Sequence, residues 1–305
     1  MAIYRGDVYE TARMMNTLQA SSDIPLLIAA NLEKGLGNQM DGATLFPPIM
    51  SIGAAGIHMA YFPVVDVNIN PDNPIINTRS FGENPEDVGR LAAAYIRGCQ
   101  EFGLIATAKH FPGHGDTERD SHNVLATVQA DMDRLTNVEL YPFRKAIDAG
   151  VQAVMSAHIS IPAIDPTPNL PATLSRPIMT DYLRKKMGFK GLIVSDSMGM
   201  GGITTLYSQD QAAVLAVRAG VDIILLTPEP ELVISALVDA VKKGQISEAR
   251  ILPLSPEKKI AVFSLSSDPG DYYAGRPLEF YAEASTGNEF LERALQKAAE
   301  VDVFQ

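Results

Sequence analysis

Residues 109–122 read Lys-His-Phe-Pro-Gly-His-Gly-Asp-Thr-Glu-Arg-Asp-Ser-His and hold three of the chain's five histidines. Two aspartates, Asp116 and Asp120, lie between these histidines. Imidazole and carboxylate groups at this spacing can exchange protons with a substrate, hold a metal ion, or bond one another within a surface loop. The segment is therefore the first candidate for a chemical function.

A strand is expected to position this segment. The apolar run Gly103 to Ala108 is typical of a buried strand. Pro112, Gly113 and Gly115 exclude a regular helix or a central strand through the middle of the segment. The polar cluster is thus expected to begin where a strand ends and to continue as a loop. In α/β proteins that edge of the sheet carries ligands and catalytic groups.

Strand-like and helix-like stretches alternate along the rest of the chain. The predicted strands are 24–30, 57–65, 103–108, 151–157, 191–194, 221–226, 259–265 and 301–304. The predicted helices are 7–18, 84–102, 131–149, 175–187, 209–219, 229–243 and 288–300. Polar residues follow several strands, among them Glu33, Asp66, His158 and Asp196. This pattern predicts a parallel α/β fold, either an open sheet or a (β/α)8 barrel, which brings its strand ends to one mouth.

The composition of the chain excludes several classes of partner and structure. A chain of 305 residues can bury a large core in one large domain or two smaller ones. The formal net charge of -11 argues against nucleic acid or an acidic membrane surface as partner, and no apolar run can span a bilayer. The single cysteine, Cys99, excludes an internal disulfide and is expected to be buried. Residues 1–6 do not resemble a signal peptide, which favours a cytoplasmic protein.

Segment 109–122 resembles the signature of glycoside hydrolase family 3, in the form typical of its β-N-acetylglucosaminidase branch. Further segments similar to the family are 62–67, 79–82, 154–159, 191–198 and 252–265. The resemblance implies a (β/α)8 TIM-like barrel as the catalytic domain over residues 1–250. Residues 251–305 are then a fragment of a second α/β domain, a truncated sandwich segment.

Several parts of such a barrel are missing from the sequence pattern. The family's first strand is absent before Asp7, and no room remains for a helix between Gly53 and Ile57. The helix expected after Gly244 is also absent, because 247–250 leads almost directly into the second-domain segment. About six clear strands remain where a barrel needs eight. The barrel is therefore expected to be incomplete.

Asp196 is a candidate nucleophile. It ends an apolar run, lies between two serines, and precedes the glycine-rich stretch 198–202. The residues alone leave two readings open, an attacking carboxylate at a strand end or an aspartate that caps the following helix. Retaining glycosidases need a nucleophile at the anomeric carbon and a proton donor at the leaving group. The resemblance implies that Asp196 is the nucleophile.

His122 and Asp120 are candidates for acid/base catalysis. Their spacing places both side chains on one side of an extended loop. A carboxylate bonded to one imidazole nitrogen fixes the tautomer and raises the basicity of the other nitrogen. In the β-N-acetylglucosaminidase branch a His–Asp pair takes the place of a second carboxylate. The resemblance therefore assigns His122 as acid/base and Asp120 as its orienting partner, against the alternative of a solvated surface loop.

Six further side chains are expected to line the sugar site. They are Arg79, Lys109, His110, His158, Asn31 and Met198. Charged donors suit sugar hydroxyls whose hydrogen bonds strengthen in the transition state. Asn31 stands where the family usually has an aspartate, so it keeps an acceptor and loses the charge. His114 and Asp116 are expected to hold the loop together by hydrogen bonds.

The sequence thus predicts a retaining glycosidase that removes terminal β-linked N-acetylglucosamine from a small carbohydrate, with no cofactor and no metal. Muropeptides in cell-wall recycling, chitin oligomers and other glycosides all fit as substrates. Three alternatives remain. The histidines and aspartates of 109–122 could form a metal site. The chain could be an inactive or sugar-binding truncated homologue. It could also be a β-N-acetylglucosaminide phosphorylase, because an imidazole in place of a carboxylate repels phosphate less.

Overall fold

The structure, a computed structural model, describes residues 8–21, 26–31, 57–251 and 261–264. Its helices are α1 (Val8–Ser21), α2 (Pro85–Glu101), α3 (Met132–Asn137), α4 (Tyr141–Asp148), α5 (Gly201–Thr204), α6 (Gln209–Ala219), α7 (Pro230–Lys242) and α8 (Glu248–Ile251). The strands are β1 (Leu26–Ala30), β2 (Met59–Ala60), β3 (Ile105–Phe111), β4 (Ala126–Thr127), β5 (Ala153–Ser156), β6 (Ile159–Ser160), β7 (Leu192–Ser197), β8 (Ile223–Leu225) and β9 (Ala261–Ser264). Short 3₁₀ turns cover Asn77–Arg79 and Ala172–Leu174, and Pro177–Lys186 is wound as a π-helix.

The chain divides into two compact units. The larger consists of Phe62–Arg97 and Ala106–Glu248, and its centre is a parallel sheet with the strand order β3, β5, β7, β8. Ala108 lies opposite Val154, and Val154 lies opposite Ile193. The side chains of β5 are fully covered, as expected for a parallel sheet that is packed on both faces. The predicted parallel α/β fold is confirmed in this unit.

Local signals set the ends of several helices in the larger unit. The carboxylate of Asp131 accepts a hydrogen bond of 2.8 Å from the Arg134 N–H and caps α3. Gly220 ends α6 with a left-handed backbone, φ 116°, which glycine adopts without strain. The helix predicted for 209–219 is confirmed with these bounds. These helices alternate with the strands and cover the sheet.

The single helix predicted over 131–149 is wrong, because the structure has α3 and α4 separated at residues 138–140. Pro142 lies in the first turn of α4, where its missing N–H costs no hydrogen bond. The same proline cannot continue a helix from α3, since its ring meets the carbonyl group of the preceding turn. The break brings Glu139 into the interior, where its side chain is buried.

The strand predicted for 103–108 lies further along the chain than expected. β3 covers Ile105–Phe111, so Lys109 and His110 belong to the strand and not to the loop that follows. The carbonyl oxygen of Lys109 accepts from the Val65 N–H at 2.7 Å, and that of Phe111 accepts from the Ala157 N–H at 2.7 Å. These bonds to neighbouring segments extend the strand up to Pro112.

The smaller unit contains the described residues 8–21, 26–31, 57–61, 98–105, 249–251 and 261–264. β1 pairs in parallel with β2 and with β9. The side-chain amide of Gln19 on α1 bonds both the N–H and the carbonyl group of Leu26, each at 2.9 Å. Cys99 is fully buried, and burial raises the pKa of its thiol to about 12, as expected for an unreactive cysteine.

Some predictions concern residues that the structure does not describe. The predicted helix 288–300 and strand 301–304 lie outside the described residues, as does Glu33. The domain boundary near residue 250 and the second-domain fragment 251–305 stay predictions. Among the described helices, none has the length and apolar content needed to cross a membrane.

Candidate active site

A buried carboxylate, Asp66, collects hydrogen bonds from the segment that starts at His110. One oxygen, Oδ2, lies 2.7 Å from His110 Nδ1, and the backbone N–H groups of His110 and His114 donate to the same carboxylate. Burial alone would raise the pKa of Asp66, but the nearby His110 and His114 and the hydrogen bonds that they donate hold it below its usual value. The ionised carboxylate thus fixes the end of β3 and the start of the loop.

His110 is bonded on both sides of its ring. Its Nε2 lies 3.3 Å from Arg79 Nη2, and its Nδ1 contacts Asp66. A guanidinium group can only donate, so Nε2 accepts and Nδ1 carries the hydrogen that is donated to Asp66. The side chain of His110 is largely buried, at 6% exposure. The predicted sugar contacts of Arg79 and His110 stay predictions, and a hydroxyl group at His110 would have to replace one of these bonds.

His114 links three parts of the loop. Its Nδ1 lies 2.7 Å from Thr117 Oγ1, and its Nε2 lies 2.7 Å from Ser121 Oγ. Its carbonyl oxygen accepts from the side-chain amide of Asn73 at 2.8 Å. Burial lowers the pKa of His114 to about 4, which favours the neutral imidazole with one donor and one acceptor nitrogen. The prediction that His114 holds the loop by hydrogen bonds is confirmed.

Asp116 is held by Arg134, which also bonds Glu139; the sequence pattern indicated neither partner. Arg134 Nη2 lies 2.6 Å from Asp116 Oδ2 and 2.9 Å from Glu139 Oε1. Gly113 lies against Glu139, because a Cβ atom on this glycine would lie 2.7 Å from the Glu139 Cβ. The cluster therefore supports the loop from α3 and the turn after it. No local motif marks Arg134 or Glu139. The one signal in the sequence is the position of Glu139, an acidic residue in an otherwise apolar stretch.

The predicted pairing of Asp120 with His122 is present. Asp120 Oδ1 lies 2.8 Å from His122 Nδ1 and accepts from the His122 backbone N–H at 2.7 Å. A carboxylate accepts, so Nδ1 carries the hydrogen and Nε2 is the nitrogen left for a substrate. The side chains are 59% exposed for His122 and 34% for Asp120. The pair is thus both oriented and accessible.

The loop that carries this pair is bonded to the glycine-rich turn after β7. The Gly201 N–H donates to the His122 carbonyl group at 2.7 Å, and the Gly202 N–H donates to the Ser121 carbonyl group at 3.0 Å. A Cβ atom on Gly201 would lie 2.2 Å from the Asn123 carbonyl oxygen. Such close backbone approach requires glycine. The turn follows Asp196 directly in the chain, so these bonds connect the two predicted catalytic elements.

Asp196 lies at the end of β7 and is partly exposed. Its Oδ1 accepts a hydrogen bond of 2.8 Å from the Ser197 N–H. Burial alone would raise the pKa of Asp196, but the nearby imidazoles of His110 and His158, the Ser197 N–H and the charge of Lys109 together hold it below its usual value. The capping alternative is wrong, because α5 begins only at Gly201 with Met200 in the cap position.

His158 lies behind this strand end, fully buried. Its Nε2 donates to the Ser197 carbonyl group at 2.9 Å, and its Nδ1 lies 2.8 Å from Thr173 Oγ1. Burial lowers the pKa of His158, against the opposing effect of the Asp196 charge. The predicted sugar contacts of His158, Lys109 and Met198 stay predictions. All three side chains are at most 2% exposed.

Two further predictions can be placed. Asn31 follows β1 directly and belongs to the smaller unit, so its role in sugar binding stays a prediction. For the alternative of a metal site, the part of the chain that the structure describes contains no group of three or more His, Cys, Asp or Glu side chains that could hold a metal ion. The histidines of 109–122 bond serine, threonine, arginine and aspartate instead.

The chain is similar to several known proteins. Beta-hexosaminidase A of Pseudoalteromonas piscicida is 37% identical in an alignment over 243 residues that covers 68% of this chain and 41% of that protein. The chain thus spans less than half of that relative's length. A solved glycoside hydrolase family 3 beta-N-acetylglucosaminidase from Paenibacillus sp. str. FPU-7 has a TM-score of 0.75 at 34% identity, covering 96% of this chain and 60% of that one.

A second solved structure, a beta-glucoside phosphorylase, has a TM-score of 0.76 at 30% identity and covers 82% of this chain and 50% of that one. These similarities confirm the predicted TIM-like barrel fold, of which the described strands form an incomplete part. The sequence profile of the glycosyl hydrolase family 3 N terminal domain matches residues 50–254, more than half of the chain. The chain therefore belongs to glycosyl hydrolase family 3.

Proposed function

We propose that this chain is a retaining glycosidase that removes terminal β-linked N-acetylglucosamine, with Asp196 as nucleophile and the His122–Asp120 pair as acid/base. The observation that carries the proposal is the pair itself, an exposed imidazole bonded to a carboxylate at 2.8 Å on a loop bonded to the turn after Asp196. The lowered pKa of Asp196 supports a carboxylate that is ionised at neutral pH. The similarity to a beta-hexosaminidase and to a beta-N-acetylglucosaminidase supports the choice of substrate.

In the first step, Asp196 attacks the anomeric carbon and the bond from this carbon to the leaving oxygen breaks. The Nε2 of His122 gives its proton to that oxygen, while Asp120 stabilises the ring through Nδ1. In the second step, His122 takes a proton from water as the water oxygen attacks the anomeric carbon. The bond to Asp196 then breaks, and the sugar leaves with its original configuration.

The remaining predicted residues have two kinds of role in this proposal. Lys109 and Arg79 bind sugar hydroxyls, and the charge of Lys109 also favours the ionised form of Asp196. His110 supports Arg79, and His158 supports the backbone next to Asp196, because each ring already has partners within the protein. Met198 completes this set. The substrate is a small carbohydrate, such as a muropeptide, a chitin oligomer or another glycoside.

A second candidate is a β-N-acetylglucosaminide phosphorylase. It is favoured by the similarity to a beta-glucoside phosphorylase and by an exposed imidazole where a second carboxylate would repel phosphate. Phosphate would then replace water in the second step and release the sugar as its 1-phosphate. The two candidates share the first step and differ only in the acceptor.

The test is hydrolysis of a chromogenic β-N-acetylglucosaminide by the purified chain, beside Asp196→Asn. The matched control is Asp148→Asn, an exposed carboxylate at the end of α4. We expect turnover in the native chain and in the control, and its loss in Asp196→Asn. Added phosphate separates the candidates, since only a phosphorylase releases sugar 1-phosphate. A folded native chain without turnover, judged by circular dichroism, would support an inactive or sugar-binding homologue.

A further inference from the structure

Ser121 separates the two residues of the proposed acid/base pair, yet its environment is the opposite of theirs. It is 2% exposed, whereas the side chain of His122 is 59% exposed. Residues 120–123 form a turn, in which the Asn123 N–H donates to the Asp120 carbonyl oxygen at 3.0 Å. Ser121 lies on the buried side of this turn, and the Asp120–His122 pair lies on its exposed side. The position of this serine therefore bears on the direction of the pair.

The side chain of Ser121 bonds a buried imidazole. Its Oγ lies 2.7 Å from Nε2 of His114, which is buried. The backbone N–H of His114 donates to Asp66 at 2.7 Å, and its Nδ1 contacts Thr117. Ser121 is thus connected through one residue, His114, to the carboxylate that fixes the end of β3. These hydrogen bonds connect the loop that carries Asp120 and His122 to the end of β3.

The backbone of Ser121 is held from the other side. Its carbonyl oxygen accepts from Gly202 at 3.0 Å, and the next carbonyl, that of His122, accepts from Gly201 at 2.7 Å. A Cβ atom on Gly202 would lie 3.1 Å from the Ser121 carbonyl oxygen and 2.9 Å from the Cβ of His158. Both contacts would have to shift if this residue had a side chain. The glycine pair therefore brings the loop next to the turn that follows Asp196.

We propose that Ser121 is the positioning residue of the acid/base pair, holding Asp120 and His122 towards the substrate through its bonds to His114 and Gly202. The inference rests on the proposed glycosidase function. Ser121 itself does not touch the reacting atoms. Loss of its hydroxyl group lets the loop turn, so that His122 delivers its proton less effectively while Asp196 still attacks. The effect is therefore specific to the step that needs an acid.

The test compares two aryl β-N-acetylglucosaminides in the native chain and in Ser121→Ala. The 2,4-dinitrophenolate group leaves without protonation, whereas departure of the phenolate group from the phenyl glycoside needs a general acid. We expect kcat/KM for the phenyl glycoside to fall about tenfold more than for the dinitrophenyl glycoside. This factor is smaller than the full contribution of acid catalysis, because His122 is displaced and not removed. His122→Ala is the reference and should show the same selectivity more strongly.

Ser175→Ala is the matched control. It also removes a buried serine hydroxyl, one that donates to Asp165 at 2.5 Å and accepts from the Ile178 N–H at 3.2 Å. We expect any change in this control to be equal for both substrates. An equal fall for both substrates in Ser121→Ala would overturn the proposal, because it would indicate a general loss of structure and no specific loss of proton donation.

A second measurement does not need activity. Amide deuterium exchange is followed in peptides that cover residues 118–124 and 199–204. We expect faster exchange there in Ser121→Ala and in Gly202→Ala, which keeps the serine and displaces the backbone contact, and no change in Ser175→Ala. Unchanged exchange in both variants would overturn the positioning role. A native chain that cleaves neither glycoside would instead contradict the proposed function, and the exchange result would still decide the role of Ser121.

Discussion

His158 donates from Nε2 to the carbonyl oxygen of Ser197 at 2.9 Å, so a buried imidazole fixes the backbone next to Asp196. The ring also contacts Thr173 at 2.8 Å. This geometry makes His158 a support of the strand end. A direct grip on the sugar would instead require a ring nitrogen to exchange its partner.

We expect His158→Phe to lower the free energy of unfolding by about 1–3 kcal/mol, because the Ser197 carbonyl group and the Thr173 hydroxyl lose a partner in a buried site. Activity should fall through kcat as Asp196 loses its fixed position. Urea unfolding and steady-state kinetics measure the two effects. A variant of unchanged stability with a raised KM would show that His158 binds the sugar, as the sequence predicted.

The neutral imidazole of His114 makes stability depend on pH. Burial lowers its pKa from 6.5 to about 4 in the folded chain. Between these values the unfolded chain binds more protons, so the free energy of unfolding falls as pH falls from 6.5 to 4. The full shift corresponds to about 3 kcal/mol. In His114→Gln we expect a shallower slope of stability against pH in this window. Identical slopes in urea titrations of the two proteins would contradict it.

The carboxylate of Asp66 makes stability depend on pH in a more acidic range. Its pKa lies below the ordinary 3.8 in the folded chain, so its contribution is complete above pH 3.8 and is lost as pH falls through the lower folded value. Asp66→Asn keeps the shape but cannot accept three N–H groups. We expect a destabilised variant whose acid limb is flatter than that of the native chain. Thermal unfolding from pH 5 to pH 2 tests this, with Asp148→Asn as an exposed control.

The pairing of His122 and Asp120 predicts a graded loss of activity. We expect His122→Ala to lose about 10²–10⁴ in rate on a substrate with a poor leaving group, and Asp120→Asn to lose less, because the imidazole remains without its orienting partner. Azide should restore turnover of an activated substrate in His122→Ala and form a glycosyl azide. Glu118→Gln changes an exposed carboxylate of the same loop and serves as control. Equal losses in Glu118→Gln and Asp120→Asn would disprove the assignment.

Local sequence patterns predicted much of this arrangement. They could not predict contacts between residues that are far apart in the sequence. The pairing of Asp120 with His122 depends on two neighbouring side chains, which spacing and the family resemblance both indicate. The bond between His110 and Asp66 joins residues 44 positions apart, and no local pattern encodes such a partner. For the same reason, the sequence placed Lys109 after the strand, whereas bonds from neighbouring segments extend β3 past it.

The ion pair of Arg134 with Glu139 gives a final prediction about the support of the loop. Glu139 is almost fully buried, and burial raises its pKa against the opposing charge of Arg134. Its Oε2 has no hydrogen-bond partner among the described residues. Arg134 is partly exposed and also bonds Asp116 in the loop. Removal of Arg134 would leave a buried carboxylate without its cation.

We expect Arg134→Met to lower the free energy of unfolding by about 1–3 kcal/mol, a value reduced by the partial exposure of the arginine. The double variant Arg134→Met with Glu139→Leu should recover most of this loss, because an apolar pair of similar size leaves no buried charge. Urea unfolding of the two single variants and the double variant measures the coupling. Additive losses would show that the two side chains act independently and that the cost of Arg134→Met comes from the loop at Asp116.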